Sequence, residues 1–104
     1  MSMTCTGEAR EITVCVAGEI DHHAARQMML ELDREIEHRF PRSLILDFSR
    51  VTFMDSSGIA FIMRTWRRMQ EVGGSFAVRN VPRQAAKVFR AANVHKLVHM
   101  TFCE

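Results

Sequence analysis

The stretch from Leu44 to Gly58, Leu-Ile-Leu-Asp-Phe-Ser-Arg-Val-Thr-Phe-Met-Asp-Ser-Ser-Gly, constrains the fold more than any other part of the chain. An apolar run, Ser43 to Phe48, leads to a polar cluster, Asp55-Ser56-Ser57-Gly58, and an amphipathic helical pattern starts at once. Continuous apolar runs mark buried strands. Asp and Ser stand at helix starts because their side-chain oxygens accept bonds from the unpaired N–H groups of the first turn. The junction therefore reads as a strand-to-helix turn. A serine there sits beside the positive end of a helix dipole, where an attached anion is favoured.

The same logic orders the rest of the chain. Met3 to Thr6 reads as a short edge strand turned by Gly7-Glu8. Ile12, Val14 and Val16 alternate with Thr13, Cys15 and Ala17, which is strand periodicity, and Gly18 is expected to end it. Asp21 then caps a helix with apolar positions at Ala25, Met28, Met29, Leu32 and Ile36, spaced three and four apart, and Pro41 stops it. After Asp55, a second helix shows an apolar stripe of Ile59, Ile62, Met63, Trp66 and Met69 and ends at Gly73-Gly74. Ser75 to Arg79 is a strand. A third helix carries Pro82 in its first turn and Ala85, Val88, Phe89 and Ala92 inward, with Asn93 closing it. Leu97 to Phe102 is the last strand. Strands alternating with helices predict an α/β fold, with a mostly parallel central sheet, right-handed crossovers and one edge strand near the start.

A length of 104 residues predicts one domain over the whole chain. The formal charge of +2 is too small to argue for nucleic acid. A run of about eighteen apolar residues, which a membrane span needs, is absent. The first residues lack the basic and apolar regions of a signal peptide, so the expectation is a cytoplasmic protein. Cys5, Cys15 and Cys103 form no C-x-x-C and cannot all pair within one chain, which suits reduced thiols. No metal is expected. His22 and His23 are adjacent and therefore diverge, and no third ligand is spaced for zinc.

The residues themselves leave several roles open. Ser56 and Ser57 are either helix caps alone or a regulated site. A hydrolase serine is disfavoured, because there is no G-x-S-x-G and no placed base. Asp21 is most simply an N-cap, and Asp55 either caps the second helix or orients the Ser56 hydroxyl. Arg64, Arg67 and Arg68 form either a solvated face or a surface for an acidic partner. Phe61 lies roughly opposite the apolar stripe at about 100° per residue. It either packs sideways on a neighbouring helix or stands exposed as an anchor.

Gly18-Glu19-Ile20-Asp21-His22-His23, followed by Phe53-Met54-Asp55-Ser56-Ser57-Gly58, resembles the STAS domain of anti-sigma factor antagonists over about Glu11 to Phe102. The double histidine is similar to the sporulation branch, the anti-sigma F factor antagonists, more than to the general-stress branch. The resemblance implies a non-enzymatic regulator without cofactor. Its phosphoacceptor would be Ser56, and its partners an anti-sigma serine kinase and a serine phosphatase. The unphosphorylated form would bind the kinase and free a sigma factor. Asp21, Asp55, Ser57 and Gly58 would belong to the switch surface. Phe61, with Arg64 or Arg68, is expected on the kinase-binding face, since aromatic residues and arginine dominate interface hot spots. The free protein is expected as a monomer that touches neither membrane nor nucleic acid. The rival reading is a STAS scaffold module, in a stress-signalling or transporter-associated assembly, that binds without phosphorylation.

Overall fold

The computed structural model, which describes residues 1–8 and 10–103, places five strands in one sheet in chain order. They are β1 (Ser2–Thr6), β2 (Glu11–Ile20), β3 (Ser43–Met54), β4 (Ser75–Val81) and β5 (His99–Phe102). β1 runs antiparallel to β2, and the other neighbours are parallel. The parallel strands are joined by α1 (His22–Arg39), α2 (Ser57–Glu71) and α3 (Arg83–Ala91), the last followed by a 3₁₀ turn, Val94–Lys96. The expected mixed α/β sheet with an N-terminal edge strand is what the chain forms.

Strand order advances in one direction throughout, and crossovers are right-handed, so all three helices fall on the same face of the sheet. Burial follows. Ile12, Val14, Val16, Leu44, Leu46, Phe48 and Val78 are buried, whereas Thr13, Cys15, Ile45, Asp47 and Ala77, pointing the other way, are only half-buried. The apolar run at Leu44–Phe48 is thus covered on one side, not two. On the covered side Phe89 of α3 meets Phe48 of β3 at a ring-centroid distance of 6.1 Å. No helix among the described residues is long and apolar enough to cross a membrane.

β3 continues six residues past Phe48, to Met54, which sequence periodicity does not predict. Two register shifts against β2, between Cys15 and Ala17 and between Gly18 and Glu19, insert extra residues on the β3 side. The buried positions in this half are therefore Phe48, Val51 and Met54, spaced three apart, and the period of two is lost. β2 also runs on through Gly18 to Ile20. Gly18 adopts a φ of 94° next to the second shift, a conformation that favours glycine. β5 starts at His99, because Val94–Lys96 is taken up by the 3₁₀ turn. Phe40, in the left-handed region, ends α1 one residue before Pro41.

The extended half of β3 sets the position of everything that follows. Its last residue, Met54, pairs with Ile20, the last residue of β2, and the Asp55 N–H donates to the Ile20 carbonyl at 3.1 Å. α1 and α2 therefore start side by side at the carboxyl end of the parallel strands.

Candidate functional site

The two helix starts are built differently. At α1, Asp21 is extended and its Oδ1 accepts the Ala24 N–H at 2.8 Å, as an N-cap should. That backbone donor holds the Asp21 carboxyl below the usual carboxylate range. At α2 the capping role has moved one residue upstream. Asp55 Oδ1 accepts the Ser57 N–H at 2.8 Å, and the Asp55 carbonyl accepts the Gly58 N–H at 3.1 Å. Ser56 stands at the cap position with helical dihedrals, φ −64° and ψ −15°, and its side chain makes no capping bond. Ser56 is exposed and its hydroxyl makes no hydrogen bond among the described residues, whereas Ser57 is half-buried.

Two devices hold this junction in place. Gln84, in the first turn of α3, grips the end of β3 through both faces of its amide. Its Oε1 accepts the Met54 N–H and its Nε2 donates to the Met54 carbonyl, each at 2.8 Å. Gly58 is buried against the side chain of Met54, and a Cβ at this position would overlap Met54 Sδ and Cγ. Gly58 therefore presents no surface to a partner. It lets the first turn of α2 lie directly on the strand that precedes it.

The inward face of α2 differs from the expected stripe. Gly58, Phe61, Ile62, Thr65 and Met69 are buried, and Ile59, Met63 and Trp66 are only partly so. Phe61, expected on the outward face, has no accessible surface. The helix is rotated by about one residue relative to the apolar stripe, or about 100°. Gly58 offers no side chain to exclude from the core. The Thr65 hydroxyl donates to the Phe61 carbonyl at 2.9 Å, which satisfies it inside the core. Ile59, Met63 and Trp66 instead form a half-exposed apolar flank.

Arg64 and Arg68 are both engaged within the chain. Arg64 lies 2.8 Å from Asp33, and Arg68 lies 3.8 Å from Asp33 and 3.6 Å from Glu37. These pairs cross the seam between α2 and α1. The side chain of Arg64 is 56% exposed, so its pair with Asp33 orients the helices more than it stabilises them.

At the opposite end of this seam a shallow cleft of about 200 Å³ is lined by His22, Ala25, Arg26 and Met29 of α1 and by Ser56, Ser57 and Ala60 at the start of α2. It joins Ser56 and Ser57 to two residues that sequence reasoning assigned no role beside them, His22 and Arg26. The signal was present: His22, Arg26 and Met29 share one face of α1 at helical spacing. What the sequence could not say was that this face meets the serines. Asp21 does not line the cleft. It lies beside Glu19, His23 and Gln27, in a separate depression.

Comparison with known proteins agrees with this architecture. A family described as "Mlab, STAS domain" matches residues 3–99. The anti-sigma F factor antagonist of Paenibacillus polymyxa is 26% identical over 87 residues, which is 84% of this chain and 74% of that protein. The anti-sigma F factor antagonist of Lysinibacillus sphaericus is 28% identical over 79 residues, 76% of this chain and 68% of that one. The solved structure of the anti-sigma factor antagonist SpoIIAA in its unphosphorylated form superposes with a TM-score of 0.85 at 26% identity, covering 99% of this chain and 89% of that one.

Proposed function

Because the chain belongs to the STAS domain family, we propose that it is an anti-sigma factor antagonist switched by phosphorylation of Ser56. The observation that carries the reading is the free, exposed Ser56 hydroxyl at a helix start where Asp55 has taken over the capping bond. The similarity to a structure described as the unphosphorylated form of SpoIIAA supports it.

In this reading the unmodified protein binds an anti-sigma factor that is also a serine kinase, and a sigma factor is released. On the kinase, Ser56 Oγ attacks the γ-phosphorus of bound ATP, ADP departs, and the hydroxyl proton passes to a base of the kinase. A serine phosphatase hydrolyses the ester with water and restores the hydroxyl. All of these steps take place in the cytoplasm. The protein itself contributes no catalytic group.

The phosphate acts by charge and bulk. It adds about −1.5 to −2 charge at neutral pH to a surface that otherwise lies flush against the partner. Like unit charges 4 Å apart repel by about 4 kcal/mol at an effective dielectric of 20. A third of that is already about tenfold in affinity. With Phe61 buried, the apolar part of the docking surface falls to Ile59 and Met63, which flank Ser56 on the half-exposed side of α2.

The test is to incubate the protein with its anti-sigma kinase and ATP and to map the added phosphoryl group by mass spectrometry. The modification is expected on Ser56 and not on Ser57. Ser56→Ala should bind the kinase constitutively, and Ser56→Asp should bind it poorly. Unchanged binding and release with both variants would instead favour the phosphorylation-independent scaffold.

A further inference from the structure

The ion pairs along the α1–α2 seam form a ladder with a fixed step. Arg64 faces Asp33 across a sequence separation of 31, and Arg68 faces Glu37 across the same separation. α1 and α2 follow neighbouring parallel strands and run side by side, so the step carries upward along the seam. Two turns towards the helix starts it places Arg26 opposite Ser57, one position from Ser56. The cleft that holds Arg26 together with both serines has this arrangement.

The two lower rungs are complete, with α2 supplying the cation and α1 the anion. At the upper rung the polarity is reversed. α1 supplies the cation, Arg26, which makes no ion pair among the described residues, and α2 supplies a hydroxyl. Among the described residues nothing anionic lines this cleft. Arg26 has the geometry for the task, since a guanidinium binds phosphate oxygens through two parallel N–H groups. A cleft of about 200 Å³ is several times the roughly 30 Å³ share of a water molecule, so it has room for a phosphoryl group.

We propose that the phosphate carried by Ser56 folds into this cleft and is held by Arg26, completing the third rung of the α1–α2 ladder. His22, one turn before Arg26 on the same wall, faces the same group and offers a second ring N–H donor. The inference rests on the reading of Ser56 as the phosphoacceptor and adds to it a receptor within the chain itself. Modification then does more than repel a partner. It redirects Arg26 onto α2 and fastens the two helix starts together, so that the modified protein rests in a state of its own.

The test bypasses the kinase. Phosphoserine is installed at position 56 during translation, and the second ionisation of the phosphate is followed by phosphorus NMR in the wild type, Arg26→Gln and Arg26→Lys. Each folded protein is compared with the same chain in urea. Pairing with a cation favours the dianion, so the native wild type should titrate about half a unit below native Arg26→Gln. Arg26→Lys should recover part of the difference, and the urea values should coincide. Equal phosphate ionisation in native wild type and native Arg26→Gln overturns the proposal. Arg26 is exposed, and matched circular dichroism shows whether the variants keep the fold. A null result leaves the antagonist reading intact. Failure of the kinase to modify Ser56 would sink that reading while leaving this measurement valid.

Discussion

The starts of α1 and α2 are neighbours made from similar ingredients, an acidic residue at the end of a strand followed by two polar residues, yet they differ in what they leave unused. At α1 the Asp21 carboxylate is consumed by the Ala24 N–H, and the chain turns directly into helix. At α2 the acid stands one residue earlier, takes the Ser57 N–H, and leaves Ser56 with a free hydroxyl in a cap position it does not need to fill. A displacement of one residue thus separates a structural terminus from one that can be modified without dismantling the helix. Burial makes the same distinction below the surface. Gly58 and Phe61 belong to the seating of α2, whereas Ser56 is exposed.

The strongest way to break the contrast is to unseat α2. Phe61→Ala removes a fully buried ring and should cost about 3–5 kcal/mol of unfolding free energy, measured by denaturant titration. A loss within the error of the measurement, with kinase binding abolished, would return Phe61 to the surface. Gly58→Ala forces a Cβ into Met54 and should cost about 1–3 kcal/mol. Its phosphorylation rate should fall further than its folded fraction does, because the serine moves with the first turn.

Removing the displaced cap gives a smaller effect. Asp55→Ala should cost about 1 kcal/mol, whereas Ser56→Ala should change stability by less than about 0.5 kcal/mol. Paired urea denaturations of the two variants separate them, and equal losses would mean that Ser56 is a cap after all. The smallest effect is on acid stability. The Asp21 carboxyl titrates below its unfolded value because its charged form accepts the Ala24 N–H. Its contribution is therefore complete above the unfolded carboxylate pKa of about 3.9 and is lost as pH falls through the lower folded value. Asp21→Asn should keep the cap and flatten the acid limb of a melting-temperature profile. An unchanged profile would place the acid sensitivity elsewhere.

Periodicity was a good guide wherever one element follows one rule. Ile12, Val14 and Val16 alternate, and Leu32 and Ile36 recur at helical spacing, and both sets are buried as expected. The far half of β3 was illegible because two irregularities of pairing convert a period of two into steps of three at Phe48, Val51 and Met54. The face of α2 was misjudged for a related reason. Its apolar residues cover more than half the circumference, so hydrophobicity alone left the rotation ambiguous. The centre of the buried arc is held by Gly58 and Thr65, residues that apolar counting passes over. The Asp-Ser-Ser-Gly junction was legible, because capping and turn chemistry are local. Its cleft was not, since Arg26 and Ser56 lie thirty positions apart and meet only when the helices pack.

By itself, then, the sequence determined the order of strands and helices and the polar junction at Asp55-Ser56-Ser57-Gly58, because each follows from spacing and local hydrogen bonding. Tertiary structure alone decided which face α2 turns inward, that Arg64 and Arg68 are engaged by Asp33 and Glu37, and that Arg26 shares a cleft with the serines. Those outcomes depend on how two helices share a seam. A seam is set by the strands that feed it and by steric fit at residues such as Gly58, neither of which the pattern within one helix contains.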